Sequence, residues 1–175
     1  MRPDPKCIPI ISQDEIRTAV ARLASELNRD YQGKEPLIIG VLRGSFIFLA
    51  DLVRMLDFPI EVDFIRLASY GAGKESSGEV RVLLDVGMPV AGRHLIIVED
   101  IVDTGLTAAW LVEHLKERAP LSVKLCALVD KPSRRRVPVT IDYLGLTVPD
   151  KFLVGYGLDW SQKYRNLPDI CALEE

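Results

Sequence analysis

The chain contains few of the residues that form disulfide frameworks, zinc sites or histidine-based active sites. Its three cysteines, Cys7, Cys126 and Cys171, are odd in number, far apart and outside any Cys-x-x-Cys pattern. Neither a disulfide framework nor a zinc site is therefore supported, and a reducing cytoplasm is the expected location. The two histidines, His94 and His114, form no His-Glu-x-x-His pattern, so we interpret each as structural.

Long hydrophobic runs and an excess of positive charge are also absent. Residues 1–6 are polar, and no stretch is apolar over the ~20 residues that a membrane-spanning helix needs. The formal net charge is −3 and the pI is near 5.5, whereas a general nucleic-acid binder carries a basic surface. We therefore expect an unexported protein with neither a membrane partner nor a nucleic-acid partner.

The common nucleotide-binding motifs are missing as well. No Gly-x-Gly-x-x-Gly follows the first predicted buried strand, and residues 40–44 lack the spacing and the Lys-Ser/Thr ending of a Walker loop. EF-hand and Gly-x-Ser-x-Gly patterns do not occur. These absences argue against a dinucleotide-dependent enzyme and against a P-loop nucleotide hydrolase.

What the sequence does contain is an alternation of strand and helix patterns. With 175 residues, of which 48% are hydrophobic, the chain fits one α/β domain. Predicted helices cover residues 12–28, 45–56 and 104–118, and predicted strands cover residues 37–42, 60–68, 79–84, 95–98 and 123–129. This alternation predicts a mostly parallel central sheet flanked by helices, with right-handed crossovers.

Residues 98–107 (VEDIVDTGLT) carry the most chemical information. They follow the apolar strand 95–98 and contain three carboxylates, Glu99, Asp100 and Asp103, just before a helix that begins with small and hydroxyl residues. Ligands of such sheets bind beyond the carboxyl ends of the strands. Carboxylates can hold hydroxyls or a metal, and N–H groups at a helix start can hold a phosphate. This pattern indicates a site for a phosphorylated sugar.

Each of these acids also has a structural interpretation. Glu99 and Asp100 could form a solvated turn, and Asp103 could be the N-cap of the following helix. Adjacent residues leaving a strand point in opposite directions, so both acids reach one ligand only if the chain bends there.

Residues 98–107 resemble the phosphoribosyl-pyrophosphate motif of the type I phosphoribosyltransferases. Three further segments narrow the resemblance: residues 42–45 (LRGS), residues 62–70 (VDFIRLASY), and residues 149–160 (PDKFLVGYGLDW) with 163–168 (KYRNLP). Together, these segments resemble the hypoxanthine-guanine phosphoribosyltransferases across residues 37–173.

The resemblance implies a single phosphoribosyltransferase domain over residues 1–175 with the type I fold. Its core is expected at about residues 30–148, and a small hood is expected from the terminal segments, about residues 1–15 and 149–175. A mobile loop at about residues 69–79, including Ser69 and Tyr70, is expected to close over the reacting centre. The polar composition of this loop fits an ordinary solvated hairpin connection equally well.

The resemblance also implies a reaction. The family joins N9 of a 6-oxopurine to C1′ of phosphoribosyl pyrophosphate, which gives IMP or GMP and pyrophosphate in purine salvage. Asp103 resembles the general acid/base at purine N7, and Glu99 and Asp100 resemble the acids that hold the ribose hydroxyls, directly or through Mg²⁺. The residues that resemble the 5′-phosphate loop are Thr104, Gly105, Leu106 and Thr107.

Lys131, Phe152 and Leu153 resemble the residues that bind the purine. In the family, a lysine reads the 6-oxo group, an aromatic ring stacks on the base and backbone groups of the next residue read the ring edge. An ammonium group only donates hydrogen bonds, so it favours a carbonyl over the 6-amino group of adenine. The residues alone favour a different interpretation, in which Lys131 is a solvated lysine at a strand end and Phe152 is a core residue.

Four residues resemble the groups around the pyrophosphate. Asp159 corresponds to a second Mg²⁺ contact and Arg165 to a cation that meets the pyrophosphate, although both could form a surface ion pair. Arg43 and Gly44 correspond to a loop whose main chain binds pyrophosphate, in the family through a cis peptide bond that a sequence does not reveal.

Two other functions are compatible with the sequence. A xanthine-preferring relative is one, because Lys131 leaves position 2 of the purine unread. A phosphoribosyltransferase-like regulator that binds nucleic acid is the other, because residues 134–136 are three consecutive arginines. The net negative charge argues against the regulator, and we interpret this basic run as a solvated loop. The resemblance implies a homodimer or homotetramer; the base preference and the order of substrate binding remain open.

Overall fold

The computed structural model describes residues 6–69 and 80–174. The helices are α1 (Gln13–Tyr31), α2 (Phe46–Val53) and α3 (Leu106–Lys116). The strands are β1 (Lys6–Ile11), β2 (Leu37–Leu42), β3 (Glu61–Ser69), β4 (Val80–Leu84), β5 (His94–Val102), β6 (Ser122–Asp130), β7 (Tyr143–Thr147), β8 (Leu153–Val154) and β9 (Ile170–Glu174).

The central sheet has the strand order β4-β3-β2-β5-β6-β7. Strands β3, β2, β5, β6 and β7 run parallel to their neighbours, and β4 pairs antiparallel with β3 at one edge. The predicted α/β class with a mostly parallel sheet is therefore confirmed. The carboxyl ends of β2, β5 and β6 lie side by side, which brings the segments that follow them to one edge of the sheet.

The central strands are apolar throughout because both faces of the sheet are covered. Ile38 and Ile96 point into a core shared with α1 and α2. Their neighbours Ile39 and Ile97 point into a second core, shared with α3. The alternation along each strand thus buries both sides of the sheet.

Both terminal segments of the described chain form a second, antiparallel sheet with the order β1-β9-β8. Cys7 is opposite Leu173, and Leu153 is opposite Ala172. Strand β9 therefore connects a segment from the start of the chain to the segment that contains the predicted base-binding residues. Periodicity alone predicted none of these three short strands.

Most predicted elements are confirmed with shifted ends. The capping box of α1 is present, because Glu15 N–H donates to Ser12 Oγ and Ser12 N–H donates to Glu15 Oε2 at 2.8 Å. Strand β5 continues four residues beyond its predicted end, because its pairing with β6 extends to Val102 and Asp130. Glu99 and Asp100 therefore lie within the strand and not after it.

Three further sequence-based expectations concern the mobile loop, membrane-spanning helices and the cysteines. Of the predicted mobile loop, residues 69–79, only Ser69 lies in the described part of the chain, and Tyr70 lies outside it. Within residues 6–69 and 80–174, no helix combines the length and the apolar character needed to cross a bilayer. The three cysteines are free thiols.

Candidate active site

Two adjacent acids are buried at the end of β5. Glu99 and Asp100 are each only 9% exposed, so the solvated-turn interpretation is wrong. Burial raises the pKa of both carboxyl groups, and the neighbouring Asp100 raises that of Glu99 further. Among the described residues, Glu99 Oε2 has no hydrogen-bond partner. A buried carboxylate oxygen without a partner is costly, which is the signature of an atom that meets a ligand.

The loop after β2 packs directly on these acids. A Cβ atom at Gly44 would lie 1.8 Å from Asp100 Oδ2, and a Cβ atom at Gly157 would lie 2.1 Å from the Gly44 carbonyl oxygen. At both positions, 44 and 157, only glycine fits. The Leu42–Arg43 peptide bond is cis, one residue before the Arg43–Gly44 bond that the sequence left open. Strand β5 and the segments after β2 and β8 thus meet at Gly44.

The predicted phosphate loop, residues 103–107, connects β5 to α3. Gly105, with φ of +84°, is the N-cap of the helix, so the N-cap interpretation of Asp103 is wrong. The Thr104 carbonyl accepts hydrogen bonds from the N–H groups of Arg136 at 2.9 Å and Val137 at 3.1 Å. Within the described chain, the N–H groups of Thr104 and Gly105 have no hydrogen-bond partner, which leaves them available to an anion.

The side chain of Asp103 contacts the basic run. Arg134 Nε lies 3.4 Å from Asp103 Oδ1, and Arg134 Nη1 lies 3.7 Å from Asp150 Oδ1. Neither contact has the geometry of a hydrogen bond, and among the described residues Asp103 Oδ1 is buried without a hydrogen-bond partner. Arg134 is exposed, as the interpretation of residues 134–136 as a solvated loop expects, although it also lies between Asp103 and Asp150.

The three residues predicted to bind a purine lie next to one another. Lys131, directly after β6, is only 5% exposed, and its Nζ donates to the Lys151 carbonyl oxygen at 2.7 Å. The solvated-lysine interpretation is thus wrong. Phe152 is 54% exposed and Leu153 is buried in β8, so the core interpretation of Phe152 is also wrong. A buried ammonium and an exposed ring on neighbouring segments are suited to a planar polar ligand.

Arg165 and Asp159 form a mostly buried ion pair rather than an exposed one. Arg165 Nη2 lies 2.9 Å from Asp159 Oδ1, and Arg165 Nη1 donates to the Gly157 carbonyl oxygen at 2.7 Å. The guanidinium is thereby oriented beside the glycine that contacts Gly44. Because Gly157 contacts that loop, Arg165 lies near the buried acids of β5, and its charge lowers the pKa of Asp100 against the effect of burial.

Gln162 is a site residue that the sequence analysis missed. Its Oε1 accepts hydrogen bonds from Arg43 at 2.6 Å and from Arg165 at 2.9 Å, and its N–H donates to Asp159 at 2.8 Å. The amide thus holds two arginines side by side although their charges repel. No motif marks a lone glutamine; its position three residues before Arg165 was the only available signal.

The described residues do not assemble a metal cage from protein atoms alone. No group of three His, Cys, Asp or Glu side chains is arranged to hold a metal in residues 6–69 and 80–174, and Asp159 is therefore not grouped with Glu99 and Asp100. Mg²⁺ often binds through one or two carboxylates together with substrate oxygens and waters. The buried Glu99–Asp100 pair, with its partnerless oxygen, fits that mode.

Comparisons with known proteins agree with this geometry. A family model described as the phosphoribosyl transferase domain matches residues 12–161. The hypoxanthine-guanine phosphoribosyltransferase of Bacillus subtilis (strain 168) is 46% identical over 165 residues, which cover 94% of this chain and 92% of that protein. A crystal structure of a hypoxanthine-guanine phosphoribosyltransferase from Bacillus anthracis matches with a TM-score of 0.92 at 42% identity, covering 98% of this chain and 100% of that chain.

The bifunctional protein TilS/HprT of Listeria innocua is also 46% identical over 165 residues, but this chain spans only 26% of its length. The fold and the family model define the chain as a phosphoribosyltransferase. Its similarity over nearly the full length of the Bacillus proteins is more specific. The chain belongs to the hypoxanthine-guanine phosphoribosyltransferase family.

Proposed function

We propose that this protein transfers the 5-phosphoribosyl group from phosphoribosyl pyrophosphate to N9 of hypoxanthine or guanine, giving IMP or GMP in purine salvage. The observation that carries the proposal is the pairing of buried acids with a buried lysine. Glu99 and Asp100 lie on β5, and Lys131 follows the adjacent strand β6. The main-chain N–H of Lys131 donates to the Val102 carbonyl oxygen at 3.0 Å, which ties Lys131 to the end of β5. One edge of the sheet thus offers acceptors for sugar hydroxyls and a donor for a base.

The sugar and its phosphate are bound by β5 and the loop after it. Glu99 and Asp100 accept hydrogen bonds from the ribose hydroxyls, which fixes C1′ relative to the base. The free N–H groups of Thr104 and Gly105, with those of Leu106 and Thr107 at the start of α3, donate to the 5′-phosphate.

The base is bound on the neighbouring segment. Lys131 Nζ exchanges its bond to the Lys151 carbonyl oxygen for a bond to the purine 6-oxo group, so the burial of this ammonium remains compensated. The exposed ring of Phe152 stacks on the base, and the backbone of Leu153 borders its edge. Adenine carries a donor at position 6 and would leave Lys131 without an acceptor.

Asp103 acts on the purine proton at N7. In the sequence, Asp103 follows the two sugar acids and is the first residue of the phosphate loop, and its Oδ1 has no hydrogen bond among the described residues. In an oxocarbenium-like transfer, charge develops on the purine ring as its N9 attacks C1′, or as the purine leaves C1′ in the reverse reaction. A carboxyl group within reach of N7 exchanges a proton with the ring.

The pyrophosphate is met by cations and by the main chain of the loop after β2. Arg165 and Arg43 are held together by the Gln162 amide, and Gly44 contributes main-chain groups. We propose Mg²⁺ dependence, in which a bound Mg²⁺ neutralises charge on the leaving pyrophosphate. The Glu99–Asp100 pair supports this assignment. Asp159 Oδ1 forms an ion pair with Arg165, and its Oδ2 accepts a hydrogen bond from the main-chain N–H of Gln162. A carboxylate oxygen has a further lone pair that could bind the metal.

We also propose that the protein is a cytoplasmic homodimer or homotetramer. Its free thiols suit a reducing compartment. Large apolar side chains on α2 and on the neighbouring strands, Phe46, Val62 and Leu84, are exposed, which favours self-association. Sedimentation equilibrium should give a mass at least twice the 19.5 kDa of one chain; a concentration-independent monomer would contradict the proposal.

The central experiment supplies phosphoribosyl pyrophosphate and Mg²⁺ with hypoxanthine, guanine, xanthine or adenine and follows nucleotide formation. We expect turnover with hypoxanthine and guanine and none with adenine, and we expect EDTA to abolish turnover. Faster turnover with xanthine than with the other bases would support the xanthine-preferring alternative. Absence of turnover with every oxopurine would exclude the proposed function.

A further inference from the structure

Residues 134–137, which follow β6 and a short 3-10 helix at Pro132–Arg134, pack directly against the phosphate loop, residues 103–107. Two main-chain N–H groups of this segment donate to the Thr104 carbonyl oxygen. A Cβ atom at Gly105 would lie 2.5 Å from the Val137 carbonyl oxygen, so the two backbones touch. The phosphate loop is thus supported from outside the cleft by a segment that the sequence analysis interpreted as solvated.

Arg135 is the side chain that joins the two segments. Its Nε donates to the Asp103 carbonyl oxygen at 3.2 Å, and its guanidinium forms an ion pair with the carboxylate of Asp130 at the end of β6. The side chains of Arg135 and Asp130 are only 20% and 14% exposed. The stem of Arg135 lies against Gly105, where a Cβ atom would be 2.8 Å from Arg135 Cδ.

These contacts fix the direction of two peptide groups in the phosphate loop. In a planar trans peptide, the C=O and N–H groups point in opposite directions. Because the Asp103 carbonyl points at Arg135, the N–H of Thr104 points away from it. The Thr104 carbonyl likewise points at residues 136 and 137, so the N–H of Gly105 points away from them. Both N–H groups lack a partner in the described chain and face the opposite side of the loop.

Only one arginine of the basic run has this geometry. A planar guanidinium has several N–H donors in a fixed arrangement, so it can bind a carboxylate and a carbonyl oxygen at once. A lysine ammonium is a compact point charge without this planar arrangement. Arg136 is exposed, and its side chain makes no hydrogen bond or ion pair within residues 6–69 and 80–174. Arg134 contacts carboxylates but no main-chain group of the loop.

We propose that Arg135, held by Asp130, is a positioning residue for the 5′-phosphate of the sugar substrate. It touches no substrate; it holds the Asp103 carbonyl outward so that the Thr104 N–H donates into the cleft. This inference rests on the function proposed above and adds to it the origin of the phosphate loop's conformation. Preorganised donors cost no rearrangement when the anion binds, so loss of Arg135 weakens phosphate binding selectively.

The test measures phosphate binding apart from the chemical step. Calorimetric titration gives the dissociation constants of phosphoribosyl pyrophosphate and of ribose 5-phosphate, and steady-state kinetics gives KM and kcat. For Arg135→Ala, we expect both dissociation constants and KM for phosphoribosyl pyrophosphate to rise about tenfold or more, the factor for one charge-assisted hydrogen bond. We expect KM for hypoxanthine and kcat to change less than about threefold.

Matched variants separate this role from charge and from general stability. Arg136→Ala removes the same charge one residue away and keeps the main-chain bond to Thr104, so its sugar-phosphate affinity should stay near that of the wild type. Asp130→Asn should shift affinity in the same direction as Arg135→Ala but less, because the guanidinium keeps its bond to Asp103. Arg135→Lys should restore only part of the affinity.

The outcomes are distinguishable. If wild type neither binds phosphoribosyl pyrophosphate nor turns over an oxopurine, the proposed function fails first. If wild type is active and Arg135→Ala binds both sugar phosphates as tightly as Arg136→Ala does, the positioning role is wrong. Equal losses in both variants would indicate a charge effect and would also overturn it. Should Arg135→Ala fail to fold by circular dichroism, Asp130→Asn decides, and unchanged affinity there refutes the proposal.

Discussion

Asp103, the proposed general acid/base, has a half-exposed side chain that forms an ion pair with Arg134. Replacing it with Asn keeps the shape and removes the exchangeable proton. We expect kcat to fall about 10²- to 10⁴-fold, the range for loss of a general acid/base. Calorimetric titration should show phosphoribosyl pyrophosphate affinity within about threefold of the wild type.

The control for this variant is Asp150→Asn. Asp150 is the other carboxylate beside Arg134, at 3.7 Å, and has no proposed part in proton transfer. If both substitutions lowered kcat equally, the effect would come from Arg134 and not from a proton at N7. Stability should hardly change in either variant, because exposed ion pairs contribute little to the free energy of unfolding.

The residue scale also shows what the sequence could and could not predict. The motif at residues 98–107 identified Glu99, Asp100 and Asp103 because their chemistry is local. Whether Lys131 is buried or Phe152 exposed depends on how β6 and β8 pack, so residue type and local position favoured the wrong environment for each. Gln162 contacts Arg165, three residues later, and Arg43, 119 residues earlier in the chain. No local pattern encodes the contact with Arg43.

At the scale of elements, the loop between β2 and α2 has no room for a side chain at Gly44. A Cβ atom there would lie 1.8 Å from Asp100 Oδ2, far inside the van der Waals contact distance, so Gly44→Ala must displace either the loop or the carboxylate. We expect a loss of about 1–3 kcal/mol in the free energy of unfolding, the usual cost of overpacking. We also expect a larger loss of turnover, because the displaced groups border the proposed pyrophosphate site.

Gly87→Ala is the matched control, since a Cβ atom there has its nearest neighbour, Asp63 Oδ2, at an ordinary 3.9 Å. Denaturant unfolding and the oxopurine assay should leave this variant close to the wild type. Wild-type turnover by Gly44→Ala would show that the contact with Asp100 is not needed for activity.

Element ends were harder to predict than element types. The sequence predicts α3 from residue 104, but the helix begins at Leu106 because Gly105 adopts a left-handed conformation. The predicted end of β5 at Val98 rested on the change from apolar to acidic residues. Strand pairing with β6 overrides that change, and it carries Glu99 and Asp100 into the buried part of the sheet.

At the scale of the whole molecule, the core and the site make opposing demands on the same strand. A parallel strand that is covered on both faces requires apolar residues, and β5 has them from Leu95 to Val98. The next two residues are acids that the fold buries at a cost in stability. Sequence alone revealed the acids but not their burial, which requires β2, β6 and the loop at Gly44 to enclose them.

Glu99→Gln tests this opposition directly. An uncharged amide costs less to bury than a carboxylate, so we expect the free energy of unfolding near neutral pH to rise by about 1–2 kcal/mol while turnover falls. Denaturant unfolding in EDTA measures the first quantity and the oxopurine assay the second. Glu35→Gln, at an exposed position, should change neither.

The gain in the free energy of unfolding expected for Glu99→Gln should also depend on pH in a defined direction. The pKa of Glu99 in the fold is well above its ordinary value of 4.5, so folded Glu99 retains a proton that the unfolded chain has released. Wild-type stability therefore falls as pH rises above 4.5 towards the raised pKa. The Gln variant has no such proton, so its advantage is largest above that interval and shrinks as pH falls through it. A Gln variant that is less stable than wild type at neutral pH would show instead that the Glu99 carboxylate stabilises the fold.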